Sequence, residues 1–320
     1  MDGFSDSHAV TTAAHGDLRA DAQMAQLLAQ ASIEIMPRQI ADGLPGAGEF
    51  PSGAEVFVPL LPGADFDDTL AACRTLSLRG FTPVPHLPAR ALRDREMLAR
   101  LLDAFEARGV TSILLIAGDA PRPAGPFPDA LSLLAEPCLA QSSITRLYVA
   151  GHPEGHPYAN GDALMRALQI KQDYARAHGF ALGIVTQFTF SAAPVITWCE
   201  RLAAQGIDAP VRVGVAAPVG MGTLIRFALR CGVGASARFL GRRPDALQAL
   251  QRFDPLPLIA ELARSRSANA LPNLAAVHLY CFGGAAQALS WRAQSIAALH
   301  ARAPIEPGNR ENGNAEDAAS

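Results

Sequence analysis

Lysine is almost missing from this chain: of its 27 basic residues, 26 are arginine and only Lys171 is lysine. A GC-rich genome produces that bias, so a surviving lysine is a candidate for a role arginine cannot fill. Positive charge is not in surplus either. The formal net charge is -3, which argues against nucleic acid as a partner. No apolar run has the length of a membrane span. Residues 1–16 hold Asp2 and Asp6 and no basic segment followed by an apolar one, so no secretion signal is expected and the cytoplasm is the expected compartment. Cys73, Cys138, Cys199, Cys231 and Cys281 are odd in number and form no C-x-x-C, a pattern of reduced thiols rather than of disulfides or zinc. There is no G-x-S-x-G elbow and no G-x-G-x-x-G after the first strand. With no metal cluster and no nucleophile in view, chemistry on an organic cofactor comes forward.

What is present is an alternation. Half-apolar composition, 49% hydrophobic, suits one large α/β domain. Apolar strands are predicted at 32–35, 55–58, 82–85, 112–116, 147–150, 182–188, 211–215 and 275–280. Helices are predicted at 67–77, 94–108, 162–178, 193–205, 223–231 and 284–300, with two or three short ones within 235–264. Eight such β/α units predict a parallel (β/α)8 barrel, preceded by a helix at 17–31 and carrying extra short helices between strands seven and eight. The alternative is a doubly wound open sheet. Residues 1–16 and 303–320 read as disordered ends of a domain spanning 17–302.

A barrel presents its chemistry at the C-terminal strand ends, which here carry Glu34, His86, Asp119, His152, His156 and Gln187. The fifth strand runs into Gly151-His152-Pro153-Glu154-Gly155-His156-Pro157. Two histidines four apart around a glutamate suggest the helical zinc motif, but Pro153 and Pro157 forbid the helix, and no metal is expected. Glu34 lies between the apolar Ile33 and Ile35, which predicts a carboxyl with a raised pKa, suited to general acid catalysis. Asp119 follows Gly118 at a strand end, where backbone can approach a ligand. Gln187 can read the edge of a flat heterocycle.

In these residues the sequence resembles the methylenetetrahydrofolate reductase family. The likeness is carried in order by 32–37 (Ser-Ile-Glu-Ile-Met-Pro), Pro85-His86, Gly118-Asp119-Ala120-Pro121, the His152 to Pro157 loop, Lys171 and Thr186-Gln187-Phe188 with Phe190. It implies a flavoprotein of one-carbon metabolism and methionine biosynthesis. FAD would be held by His86, the Gly118-Asp119 turn, His152, His156, Ala159 and, near the diphosphate, Lys171. Glu34 would protonate N10 of the folate substrate, with Asp119 and Gln187 holding the pterin. NADH or NADPH would be the electron donor.

The sequence also departs from that pattern. Ala117 replaces an arginine, His152 a tyrosine, and Pro59-Leu60-Leu61-Pro62 a threonine-tyrosine-glycine loop. Met221 or Gly222 stands where an aromatic residue packs on the nicotinamide, and Gly283 or Gly284 where an arginine follows the eighth strand. These changes predict slow reduction by NADH or NADPH, with 5-methyltetrahydrofolate or an electron-transfer partner protein reaching the flavin instead. A homo-oligomer is compatible with the sequence. Two other functions stay open: a flavin-free pterin-binding barrel methyltransferase, and a non-catalytic flavin-binding regulatory paralogue.

Overall fold

The computed structural model describes residues 6–44, 48, 50–61, 63–230, 252–268 and 271–302. Eight parallel strands close into a barrel: β1 (Ser32–Glu34), β2 (Glu55–Val58), β3 (Thr82–Pro88), β4 (Ser112–Ile116), β5 (Arg146–Gly151), β6 (Ala181–Thr186), β7 (Val211–Ala216) and β10 (Leu274–Tyr280). Between the last two, β8 (Val219–Gly220) and β9 (Arg252–Phe253) form a short antiparallel pair. The helices are α1 (Asp6–Ala29), α2 (Pro37–Ala41), α3 (Phe66–Leu78), α4 (Arg95–Glu106), α5 (Ala130–Leu134), α6 (Pro137–Ala140), α7 (Gly161–His178), α8 (Ala192–Ala204), α9 (Met221–Arg230), α10 (Leu256–Ser267) and α11 (Ala285–Arg302). Aspartate side chains at 65, 94 and 129 and Asn160 cap α3, α4, α5 and α7, accepting from backbone N–H groups that the first turn leaves unpaired.

Three expectations need correction or limit. Residues 6–16 are helical rather than disordered: α1 starts at Asp6, in a segment rich in alanine, the residue with the highest helix propensity. Most of the short helices expected within 235–264 lie outside the described residues, as do Cys231 and the tail 303–320; the described part of that stretch holds β9 and one helix, α10. Strand β3 runs on to Pro88 through three prolines. Alternate N–H groups of a strand face opposite neighbours, and Thr82 N donates to Ala54 O on the β2 side, so the missing N–H groups of Pro83 and Pro85 face β4. Pairing with β4 begins only at His86, which leaves those prolines no bond to lose.

Alternation also sorts the side chains. Odd-numbered apolar residues of β1 and β4 (Ile33, Ile113, Leu115) join the outer core under the helices, whereas Phe57, Val84, Leu114, Tyr148 and Val185 fill the barrel. The interior is not wholly apolar. Toward its N-terminal end Arg212 pairs with Glu55, Tyr148 Oη donates to Glu55 at 2.6 Å, and burial pushes that phenol up to about 12, keeping it a donor. The Tyr148 ring crosses to β6, where a Cβ on Gly183 would overlap it, so only glycine fits. Below this layer α1 closes the floor: its last carbonyls, on Leu28 and Ala29, accept from buried Arg292, and Gln30 O accepts from Arg212 Nη1 at 2.8 Å.

Replacing Arg212 by methionine leaves Glu55 inside the barrel with the Tyr148 hydroxyl and without its cation. The expected loss is about 3–5 kcal/mol in denaturant unfolding, and changing Glu55 to leucine in the same chain should restore a large part of it. A single variant as stable as the parent would show the pair to be dispensable.

Candidate active site

Above Phe57 the barrel interior turns polar. Phe57 is fully buried and touches both layers, with its ring centroid 5.0 Å from Tyr148, 4.7 Å from His278 and 6.3 Å from His86. Glu34 from β1 meets His86 Nε2 of β3 at 3.5 Å and His278 Nε2 of β10 at 3.9 Å. His278 is fixed from behind by Ser32 Oγ on its Nδ1, at 2.8 Å, a pair that the Ser32–His278 register places side by side. The Nε2 atoms of both histidines are buried without a hydrogen-bond partner and point at the carboxylate.

The expected raised pKa of Glu34 is not found. Burial does push it up, but the interaction with His278 and the proximity of both imidazoles outweigh burial and hold the carboxyl below its ordinary value. The expectation rested on Ile33 and Ile35, which are neighbours in sequence only: both face the outer core while Glu34 faces in. Burial pushes His86 and His278 down in turn. Together these directions favour neutral imidazoles beside an ionised Glu34, with both Nε2 atoms turned toward the carboxylate. His278 was missed from sequence because attention went to strand ends. It lies inside β10, and its even-numbered alternation with Tyr280 is the signal that would have found it.

Around this cluster the strand ends form a rim. Gly118 adopts φ +86°, and a Cβ there would meet Pro88 Cβ at 2.8 Å, so the turn requires glycine twice over. Asp119 is exposed and acts electrostatically on both His86 and His156. Above β5, the rings of His152 and His156 lie 4.9 Å apart, His156 Nδ1 accepts from Tyr158 N at 3.2 Å, and Ala159 bridges back to His156. Glu154 turns away to accept from Thr189 Oγ1 at 2.7 Å, tying this loop to the one after β6. Gln187 closes β6 with its side-chain oxygen accepting from Phe188 N, which leaves its amide hydrogens available. Lys171, one face of α7 inward, is half-buried; burial lowers its pKa to about 8, and among the described residues it has neither a hydrogen bond nor an ion pair. The opposite rim is aromatic. Phe190 packs on Phe253, Phe282 stacks on Phe227 at 4.2 Å, and Phe188 touches Phe190, Tyr280 and Phe282.

The model of the family described as methylenetetrahydrofolate reductase matches residues 63–244, more than half of the chain. The chain belongs to the methylenetetrahydrofolate reductase family. Among solved structures it is similar to a Clostridium thermocellum protein that binds two copies of 5-methyl-5,6,7,8-tetrahydrofolic acid, at 11% identity over 85% of this chain and 94% of that one, with TM-score 0.56. It is less similar to dihydropteroate synthase from Thermus thermophilus, at 12% identity over 85% and 92%, with TM-score 0.45. The first is a likeness of fold alone.

Set beside the reductase family pattern, the departures acquire local causes. Met221 is packed with Val219 and Leu224 under Phe190, Phe253 and Phe282, so aromatic surface on this rim comes from residues other than the one at 221 or 222. Gly283 lies against the backbone of Pro218, 3.3 Å from where a Cβ would be. In the loop after β2, Leu60 is buried and Leu61 exposed, while Pro62 is outside the described residues. No helix among the described residues is long and apolar enough to cross a membrane.

His152 replaces an aromatic residue of the family with a group that can titrate, and its environment suppresses that titration. Burial, then His156 and Lys171, lower it to about 4. Its imidazole resonance should therefore titrate near 4 by NMR. Because the unfolded chain takes up this proton near 6.5, its contribution to stability is complete above that value and is lost as pH falls toward 4. A midpoint near 6.5 in the folded protein would place His152 in solvent.

Proposed function

We propose that this protein is an FAD-dependent oxidoreductase interconverting 5,10-methylene- and 5-methyltetrahydrofolate, with NADH or NADPH as a possible electron donor. The observation that carries the reading is the Glu34, His86 and His278 cluster below a rim that also holds Lys171, a half-buried cation without an ion pair among the described residues. Family membership supports a folate substrate, and the similar Clostridium thermocellum protein binds 5-methyl-5,6,7,8-tetrahydrofolic acid.

The residues fit FAD on their own chemistry. Lys171 has no ion pair among the described residues, with Asp129 acting on it only through space, and a half-buried ammonium is favoured by a closer anion. Gly118 lets backbone come close, Asp119, His152, His156 and Ala159 line the rim, and His86 lies below it beside Glu34, so these would hold the cofactor. FAD, when bound, supplies or accepts the hydride equivalent. The protein's own part is the proton. Opening the five-membered ring of the methylene form requires protonation at N10, and Glu34 delivers it from its protonated form, with His86 and His278 beside it to stabilise the carboxylate that remains. Ring opening leaves a cationic iminium on the folate, which the Asp119 carboxylate stabilises by its charge. Gln187 offers its free amide hydrogens to acceptors on the pterin edge. In the reverse direction the Glu34 carboxylate takes the N10 proton back.

Glu34→Gln keeps the shape of the side chain and cannot pass a proton. It should retain FAD and lose folate turnover by at least ~10²-fold and up to ~10⁴-fold, measured by steady-state assay in both directions. Turnover within a few-fold of the parent would remove Glu34 from the reaction.

A further inference from the structure

The ladder between β6 and β7 breaks where the candidate site begins. Pairing runs through Ile184 with Val211 and Val185 with Arg212 and then stops. It resumes as a single bridge from Thr189 to Val215. In the gap, Gly214 of β7 is held at both ends: its N–H donates to Thr186 Oγ1 at 2.8 Å, and its carbonyl accepts from Thr189 N at 3.1 Å. Regular parallel pairing bonds one residue to the two positions that flank its partner. Positions 186 and 189 are one residue too far apart for that. The threonine hydroxyl stands in for a backbone carbonyl, and the extra residue makes a β-bulge at the mouth of the barrel, a device that re-aims side chains beside active sites.

The bulge carries Gln187. Its N–H donates to Gly151 O of β5 at 3.0 Å, and its carbonyl accepts from the same Thr186 hydroxyl at 2.8 Å. Its side-chain oxygen accepts from Phe188 N at 3.1 Å, so the end of the carboxamide left for a ligand is the nitrogen. Thr186 is fully buried and uses both capacities of a hydroxyl, giving one hydrogen bond and taking one. Its own carbonyl accepts from Tyr280 Oη of β10 at 3.1 Å. The fit is close: a Cβ on Gly214 would overlap Thr186 O and the Tyr280 ring, so glycine is required there.

We propose that Thr186 is the positioning residue for Gln187: its hydroxyl replaces a rung of the barrel ladder and sets the bulge that turns the Gln187 carboxamide to the pterin edge of the folate. This rests on the folate reading above and adds a residue to it. Only a side chain that donates and accepts at once can bridge the Gly214 N–H and the Gln187 carbonyl, which gives threonine a role here beyond filling the core. Valine has the same shape and neither capacity.

The test is calorimetric binding of 5-methyltetrahydrofolate under anaerobic conditions, with any bound flavin reduced beforehand so that no electron transfer follows. The proteins compared are the parent, Thr186→Val, Thr186→Ser, Gln187→Ala, Tyr280→Phe and the double variants that add Gln187→Ala to Thr186→Val and to Tyr280→Phe. Thr186→Val should weaken folate binding by up to about 10-fold, the scale of one hydrogen bond, and leave FAD affinity unchanged. Thr186→Ser keeps the hydroxyl and should bind as the parent does. The decisive readout is the double variant, which should bind no more weakly than Gln187→Ala alone, because Thr186 acts through Gln187. Losses that add, an unchanged affinity in Thr186→Val, or a Thr186→Ser protein as weak as Thr186→Val would each overturn the proposal. Should Thr186→Val not fold, Tyr280→Phe removes the hydroxyl that holds the Thr186 carbonyl and keeps the ring. A folate loss there that vanishes in the Gln187→Ala background supports the proposal, and no loss, or one that persists, overturns it. If Gln187→Ala binds folate as the parent does, the proposal fails alone. If the parent binds no 5-methyltetrahydrofolate, the folate reading itself fails.

Discussion

A carboxylate at the centre of a barrel needs compensation, and the site is built around that need. Glu34 is compensated by two imidazoles brought in from other strands, His86 on β3 and His278 on β10, and the closed barrel is what brings them together. β1 lies between β2 and β10, so Ser32 sits beside His278 and fixes the ring that faces the acid. Phe57 forms the floor of this cluster and stands between it and the Glu55, Arg212 and Tyr148 layer beneath, whose opposite charges act on His278 in opposite directions.

The lower layer and the floor explain how the upper one is kept in position. Arg212 serves both, pairing with Glu55 inside the barrel and donating to the carbonyl that follows α1. Arg292, from α11, holds the last carbonyls of α1 and lies over the Phe50 ring at 5.2 Å. The first and last helices are thus fastened to each other and to the strands through arginines, where the guanidinium fork can meet two acceptors at once.

Much of the architecture was readable in the sequence because parallel strands buried on both faces are continuous apolar runs, and all eight were found near their observed bounds. The rim residues were readable too, since glycine and proline end the strands just where Asp119, His152 and His156 begin. What failed was the electrostatics of Glu34. Reading flanking isoleucines as its environment ignores that a strand sends neighbours to opposite faces, and the residues that govern its charge are separated from it by tens to hundreds of positions along the chain. The aromatic rim was not legible for the same reason, since Phe190, Phe227, Phe253 and Phe282 come from four separate segments.

One measurement bears on the central claim most directly: the visible absorption of the purified protein after exposure to FAD, followed by anaerobic titration with 5-methyltetrahydrofolate. The account predicts an oxidised flavin spectrum that bleaches stoichiometrically as the methyl group is oxidised, with formation of the methylene form. A protein that stays colourless after reconstitution, or that binds FAD and never exchanges electrons with the folate, would contradict it.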